Sequence, residues 1–333
     1  MTAIPPPPGP PADQTPTVPS APVQVSRNAA ILGVLRQQGG TSVCPAAEHH
    51  AVLEAVHRAE GVVVGVGTDG SVDLGALAEV LRDREHVAVV SVMAVNNEVG
   101  TITDLAAVAS VVRQLAPDAV LHTDAVQAAC WLDLREVLHH VDAMSLSAHK
   151  TGGPKGVGAL VVRGGTSIDP LLVGGGQERE RRSGTHNVPG IAGMAEALRL
   201  ADLERPAEVE RVRVLRDRLV DGIVAALGSE VSVHETVPRD RRVAGSAHLC
   251  MEGLENEALL YLLDEAGAEV MEPDAVDEDA GGERVGGADD ALGELEAAGA
   301  VAEGAPVGVD DLGGLAGDHG AAVGRVALEH DEA

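Results

Sequence analysis

From Asn28 to Gly267, short apolar runs alternate with stretches in which apolar residues recur every three or four positions, the marks of buried strands and amphipathic helices. VVVGVG at 62–67 reads as a strand and LGALAEVLRD at 74–83 as a helix. HVAVVSVMAV at 86–95 then reads as a buried strand, DLAAVASVVRQLA at 104–116 as a helix, and AVLHTDA at 119–125 as another strand. AMSLS at 143–147 and VGALVVR at 157–163 are further strands, separated by a glycine-rich stretch. Strands that are apolar throughout and separated by helices predict a mostly parallel sheet covered on both faces, an α/β fold. Helices around 188–203 and 207–227, a strand SAHLCME at 246–252 and a helix NEALLYLLDEAG at 256–267 predict the start of a smaller domain. The expected division is a large domain over 27–205 and an incomplete C-terminal α/β domain over 206–267.

The two ends break this pattern. Residues 1–26, with PPPPGPP at 5–11, hold too many prolines and too few large apolar side chains to fold, so a disordered leader is expected. From Ala268 to the end, Ser, Thr, Asn, Gln, Ile, Lys, Cys and aromatic residues are all missing from the text. Such a composition predicts a disordered acidic tail or a product of the wrong reading frame. The second is favoured, because Ala, Gly, Asp, Glu and Val all have codons beginning with G, which a slip in GC-rich DNA would enrich.

Charge and cysteine content narrow the function. The formal charge is -28, and about -18 of it falls from Asp264 onward, where about 20 residues are acidic and about 2 basic. Nucleic-acid binding through a basic surface is not expected. No apolar run is long enough to span a bilayer and the N-terminus lacks a basic region followed by an apolar core, so a cytoplasmic protein without membrane contact is expected. Cys44, Cys130 and Cys250 are too few and too irregularly spaced for a disulfide framework or a clustered metal site. All three read as buried or structural thiols, with Cys250 in a strand, Cys130 beside Trp131 and Cys44 before Pro45 at a strand end.

The candidate chemistry lies where strands end. Lys150 follows a strand in SLSAHKTGGPKG, at the place where parallel sheets put ligand-binding groups. A lone lysine there is usually solvated surface. Here Ser147 and His149 flank it, and the following glycines let a phosphate or a ring approach the backbone. Asp124 and Gln127 in HTDAVQA stand just past another strand end. A pyridine-based cofactor needs such a pair, a carboxylate for the ring nitrogen and a second group for the ring hydroxyl; a helix-capping aspartate is the alternative. Asn97 in VNNEVG closes a third strand and could equally be a turn asparagine; His49 in AEHHAVLEAV precedes an apolar helix and could equally be a cap.

Taken together, AEHHAVL, SVMAVNNEVGT, HTDAVQA, SLSAHKTGGPKGVGAL and GGGQERERRSGTHNVPG resemble the cysteine desulfurases, pyridoxal-phosphate (PLP) enzymes of the class V aminotransferase group. The resemblance extends more weakly from Asn28 to Gly267. It implies a homodimer of fold type I in which L-cysteine becomes L-alanine and the sulfur passes to an enzyme thiol, then to an acceptor or iron–sulfur scaffold protein. It implies that Lys150 holds the cofactor covalently, Asp124 pairs with the pyridine nitrogen and Gln127 with the ring hydroxyl. His49 would stack on the ring and help to move protons, and Ser147 and His149 would bind the phosphate. Asn97 would orient the substrate, and Thr185 in RRSGT would reach the phosphate held mainly by the other subunit.

Three parts of that family's pattern have no counterpart in the text. These are a Ser-Gly-Gly-Thr-Glu type phosphate loop before Asn28, a nucleophilic cysteine shortly after LLDEAG, and a matching context for a carboxylate-binding arginine at Arg284 or Arg325. The chain as written is therefore expected not to sustain desulfurase turnover. The alternatives are another class V enzyme, such as a selenocysteine lyase or an aminotransferase, and a PLP-binding remnant without catalysis.

Overall fold

A computed structural model describes residues 20–21, 23–228, 231–254, 256–265 and 322–327. Most of the expected leader and most of the stretch from 268 onward lie outside these residues. The chain separates into two compact units, one up to Asn96 with Thr103–Arg205, the other Asn97–Ile102 with the residues from Pro206.

The first unit is built on a seven-stranded sheet. Its strands are β1 (Ser20–Ala21), β2 (Thr41–Pro45), β3 (Val62–Val64), β4 (Val87–Ser91), β5 (Val120–Asp124), β6 (Ala143–Ser147) and β7 (Gly158–Val162). They lie in the order β1-β7-β6-β5-β4-β2-β3. The pairs among β2 to β6 are parallel, whereas β7 runs antiparallel to β6 and to β1. The mostly parallel sheet expected from the apolar runs is present. The reversal at β7 follows from the short connection through the glycine-rich stretch, because a parallel return needs a crossover of about a dozen residues or more.

Helices α1 (Val23–Asn28), α2 (Val34–Gln38), α3 (His50–Arg58), α4 (Leu74–Asp83), α5 (Leu105–Leu115) and α6 (Leu134–His140) connect these strands. Aspartates start three of them. Asp73 Oδ1 accepts from Gly75 N at 2.8 Å and Ala76 N at 3.0 Å, Asp104 Oδ1 from Ala107 N at 2.9 Å, and Asp133 Oδ1 from Arg135 N at 2.9 Å. Between α1 and α2 the helix widens into a π turn over Ala29–Gly33. Gly33 is required there, since a Cβ would sit 2.6 Å from the Asp169 carbonyl oxygen. Ala30, Ile31 and Val34 from this stretch pack with Val52 and Val56 of α3 against Val89, Val120, Leu160 and Val162 of the sheet, forming the core.

Helix α1 starts at Val23, inside the region read from sequence as a disordered leader. Ser26 and Arg27 are buried there, so the fold begins earlier than the change in composition suggests. The strand read over 86–95 is shorter than expected. Beyond Ser91 the Met93 N–H donates to the Glu48 carboxylate instead of to a neighbouring strand.

The second unit holds a three-stranded antiparallel sheet of β8 (Val233–Glu235), β9 (Ser246–Met251) and β10 (Ala322–Ala327), in the order β10-β9-β8. Six positions of β10 form a strand within the stretch read as a disordered acidic tail or, preferably, a wrong-frame product. Helix α8 spans Asn256–Glu265. Val220, Ile223 and Leu227 pack on Ala247, Leu249 and Met251. The two helices expected around 188–203 and 207–227 are one helix, α7 (Val188–Leu227), with Pro206 inside it. Proline there removes one backbone N–H but leaves its own φ helical, so the chain runs on through it.

Candidate active site

In a parallel sheet, loops leaving the C-terminal strand ends carry the groups that meet ligands. Within the first unit, β2 leads to Glu48 and His49, β5 ends on Asp124 with Gln127 in the turn beyond, and β6 ends on Ser147. His149 and Lys150 then lie in a single 3₁₀ turn, Ala148–Thr151. That turn is held by a bond from Thr151 Oγ1 to the Ala148 carbonyl at 2.9 Å, and Gly152 leaves it with φ 73°.

Strand register puts a polar file on one sheet face. Ser91 pairs with His122, and Asp124 with Ser145. Because alternate residues share a face, Ser91, His122, Asp124, Ser145 and Ser147 point the same way. All five are buried. His122 bridges Ser91 Oγ at 2.8 Å through Nδ1 and Ser145 Oγ at 2.9 Å through Nε2. Burial holds its pKa down at about 4, with Asp124 pulling it up and Arg27 pushing it down. A neutral imidazole between two hydroxyls satisfies three buried polar groups at once.

Asp124 uses both carboxylate oxygens. Oδ1 accepts from the Val126 N–H at 3.0 Å, closing a turn; the next helix begins only at Leu134, so Asp124 is not a helix cap. Oδ2 lies 2.5 Å from Arg27 Nε in α1. The N–H is not aligned with that oxygen, so this is a charge contact rather than a hydrogen bond. Both side chains are almost fully buried, 6% exposed for Arg27 and 4% for Asp124. Glu48 lies in the same region, and burial, then the Asp124 charge, push its carboxyl well above the usual carboxylate range. Its Oε2 is buried without a hydrogen-bond partner.

The other expected residues fall as follows. Ser147 Oγ is 2.7 Å from His149 Nδ1. Desolvation lowers the His149 pKa, and the charges of Lys150, Arg27 and Lys155 add to this. Lys150 is half-buried, and its carbonyl accepts from Cys130 Sγ at 3.3 Å. His49 caps α3, its Nδ1 accepting from Ala51 N at 3.0 Å. Gln127 is half-buried and Thr185 exposed. Asn97 belongs to the second unit, where its Nδ2 donates to Glu98 Oε1 at 2.5 Å. Cys44 is buried and its thiol is pushed well up by burial; Cys130 and Cys250 are half-buried, less enclosed than expected.

Sequence reasoning missed Arg27, Glu48, His122 and Ser145. Polar residues at every second place in VLHTD and AMSLS were the available signal for His122 and Ser145. Among the described residues no helix is long and apolar enough to cross a membrane, and no cluster of three or more His, Cys, Asp and Glu side chains could hold a metal ion.

Residues 24–275 match the family model described as aminotransferase class-V. The chain belongs to that family. It is 43% identical over 228 residues to an IscS-like cysteine desulfurase of Mycobacterium tuberculosis, covering 67% of this chain and 57% of the relative. It is 40% identical over 250 residues to a cysteine desulfurase of Gluconacetobacter diazotrophicus, covering 73% and 61%. The chain thus spans about three fifths of the length of these relatives. Among solved structures it resembles a NifS-like protein with TM-score 0.68 and 32% identity, covering 75% of this chain and 70% of that one. It also resembles DndA from Streptomyces lividans, with TM-score 0.62 and 31% identity, covering 76% and 72%. The fold is that of the fold-type-I PLP enzymes, and members of the class V family use PLP.

The residues at these strand ends suit that cofactor in kind and placement: an amine on Lys150, a hydroxyl–imidazole pair on Ser147 and His149, the His49 ring and the Asp124 carboxylate. Arg27 does not suit it, because it already faces the Asp124 oxygen left by the Val126 N–H.

Proposed function

We propose that this chain is a PLP enzyme of the cysteine desulfurase type, acting on L-cysteine. The supporting observation is Lys150, carried in a tight turn at the end of β6 beside the Ser147–His149 pair, with Asp124 ending the adjacent strand. Bound there, PLP would supply an electron sink for bond changes at the substrate α-carbon.

The protein's part is to hold and to move protons. Lys150 would hold the cofactor and, once released, serve as a base. Ser147 and His149 would bind the phosphate, Gln127 the ring hydroxyl and Asp124 the ring nitrogen. His49, fixed as a helix cap, would lie over the ring and carry protons. A homodimer with Thr185 serving the partner's site, a sulfur-acceptor or iron–sulfur scaffold partner, a cytoplasmic location and a cofactor domain over 27–205 complete the proposal.

Sulfur transfer needs a thiolate that can reach the substrate and then present its persulfide. Among the described residues Cys44 is enclosed, Cys130 Sγ is tied to the Lys150 carbonyl at 3.3 Å, and Cys250 Sγ on the small sheet lies 3.3 Å from Thr236 Oγ1. Cofactor binding without sustained turnover is therefore the second reading. Borohydride reduction with PLP, followed by peptide mapping, tests the cofactor role, and label elsewhere with Lys150 unmodified would overturn it. Alanine and sulfide production from cysteine with PLP and a reductant separates the two readings. Sustained release supports the desulfurase, and a bound chromophore without release supports the second.

A further inference from the structure

We infer that the Arg27 guanidinium occupies the place of a ring cation at Asp124, so that Arg27 and the protonated pyridine of PLP compete for one carboxylate. This rests on the reading of Asp124 as the ring-nitrogen partner. Asp124 has two oxygens, and both are engaged, Oδ1 by the Val126 N–H at 3.0 Å and Oδ2 by Arg27 Nε at 2.5 Å. The carboxylate is too deeply buried to offer a solvent-facing edge to a newcomer.

Charge makes the two occupants exclusive. The Arg27 cation sits directly on the Asp124 carboxylate, and its charge is also felt at Glu48, His122 and His149. Burial, then the Asp124 charge, pushes the Glu48 carboxyl upward, and it is Asp124 that the guanidinium faces at 2.5 Å. Two desolvated cations on one anion repel each other with little water to screen them. Exchanging the guanidinium for a pyridinium keeps the balance, but the incoming ring must first displace an ion pair. An apolar residue at position 27 removes that step.

The test compares PLP with its 1-deaza analogue, in which a ring carbon replaces the nitrogen, on the full chain. Dissociation constants come from spectroscopic titration, and borohydride trapping on Lys150 checks that both probes sit in the same place. In the wild type the two should bind with near-equal affinity, because whatever the nitrogen gains at Asp124 is offset by the ion pair it displaces. In Arg27→Met, PLP should bind about tenfold tighter than in the wild type, while the deaza compound changes little. A wild-type preference for PLP of tenfold or more would overturn the inference without recourse to any variant. So would unchanged PLP affinity in a folded Arg27→Met protein that still traps on Lys150. Failure to trap either probe on Lys150 in both proteins would overturn the cofactor reading itself, and the inference with it.

Discussion

Ser147 Oγ stands 2.7 Å from His149 Nδ1, and the bond ties the end of β6 to the turn that carries Lys150. In the proposed site this hydroxyl and imidazole would meet the cofactor phosphate together. Removing the hydroxyl by Ser147→Ala should weaken PLP binding about tenfold, since a hydrogen bond to a charged group contributes about 1.5–3 kcal/mol. The His149 pKa, lowered in the free protein by desolvation and by Lys150, should rise when inorganic phosphate is added. An NMR titration reads both states. A His149 pKa indifferent to phosphate would remove this residue from the anion site.

His122 should give the protein an acid-sensitive core. Its pKa is lowered from 6.5 to about 4 by burial, so the folded state binds fewer protons than the unfolded chain between those values. Its contribution is complete above the unfolded pKa and is lost as pH falls through the window, about 3 kcal/mol in all. Glu48, with its raised pKa, acts in the opposite sense. The difference between wild type and His122→Gln in denaturant unfolding therefore isolates the histidine. A constant difference from pH 7 to pH 4 would refute the assignment.

Gly100 has φ 79°, and a Cβ on it would fall 2.2 Å from Ser246 Cβ. The neighbouring backbone cannot retreat easily, because Val243 N donates to the Gly100 carbonyl at 3.0 Å and Ser246 Oγ to the Val99 carbonyl at 3.0 Å. Gly100→Ala should cost at least about 2 kcal/mol. Gly152, with φ 73° and open space around its Cβ position, is the control. Gly152→Ala carries the conformational strain alone, about 1 kcal/mol. Equal losses in chemical denaturation would show that the contact with Ser246 is unimportant.

Pro206 is exposed inside α7 and leaves the Asp202 carbonyl without its helical N–H donor. Pro206→Ala restores that bond, though it also frees the unfolded chain. The balance should stabilise the protein by about 1–2 kcal/mol, read as a higher denaturant midpoint. A lower midpoint would mean that the proline supports the helix at that point.

Local patterns carried much of the fold into the text. Helix α4 occupies the residues read for it and β6 those of AMSLS, because an aspartate cap, an apolar period and a strand-length run are all short-range signals. Helix α7 reads as two helices in the sequence pattern but runs on through Pro206, whose fixed φ is itself helical. The strand-end residues were legible as types: Asp124, Ser147, His149 and Lys150 stand next to apolar runs. Arg27 was not, since its pairing with Asp124 depends on where α1 settles against the sheet, and its own neighbours resemble a leader. His122 and Ser145 needed the register of β5 against β6 before their alternation meant more than polar strand positions.

The sheet ends at β3, three valines bracketed by Gly61 and Gly65. An apolar rim of this kind invites intermolecular strand addition, the first step towards insoluble assemblies, when it runs for about six residues or more. Here it stops short. Gly65 has open space where a side chain would go, and valine there would turn VVVGV into five consecutive valines. Gly65 ends the rim after three residues, since its carbonyl already accepts from Asp73 N and Val66 pairs back with Val72, which leaves a neighbouring molecule too short an edge to extend.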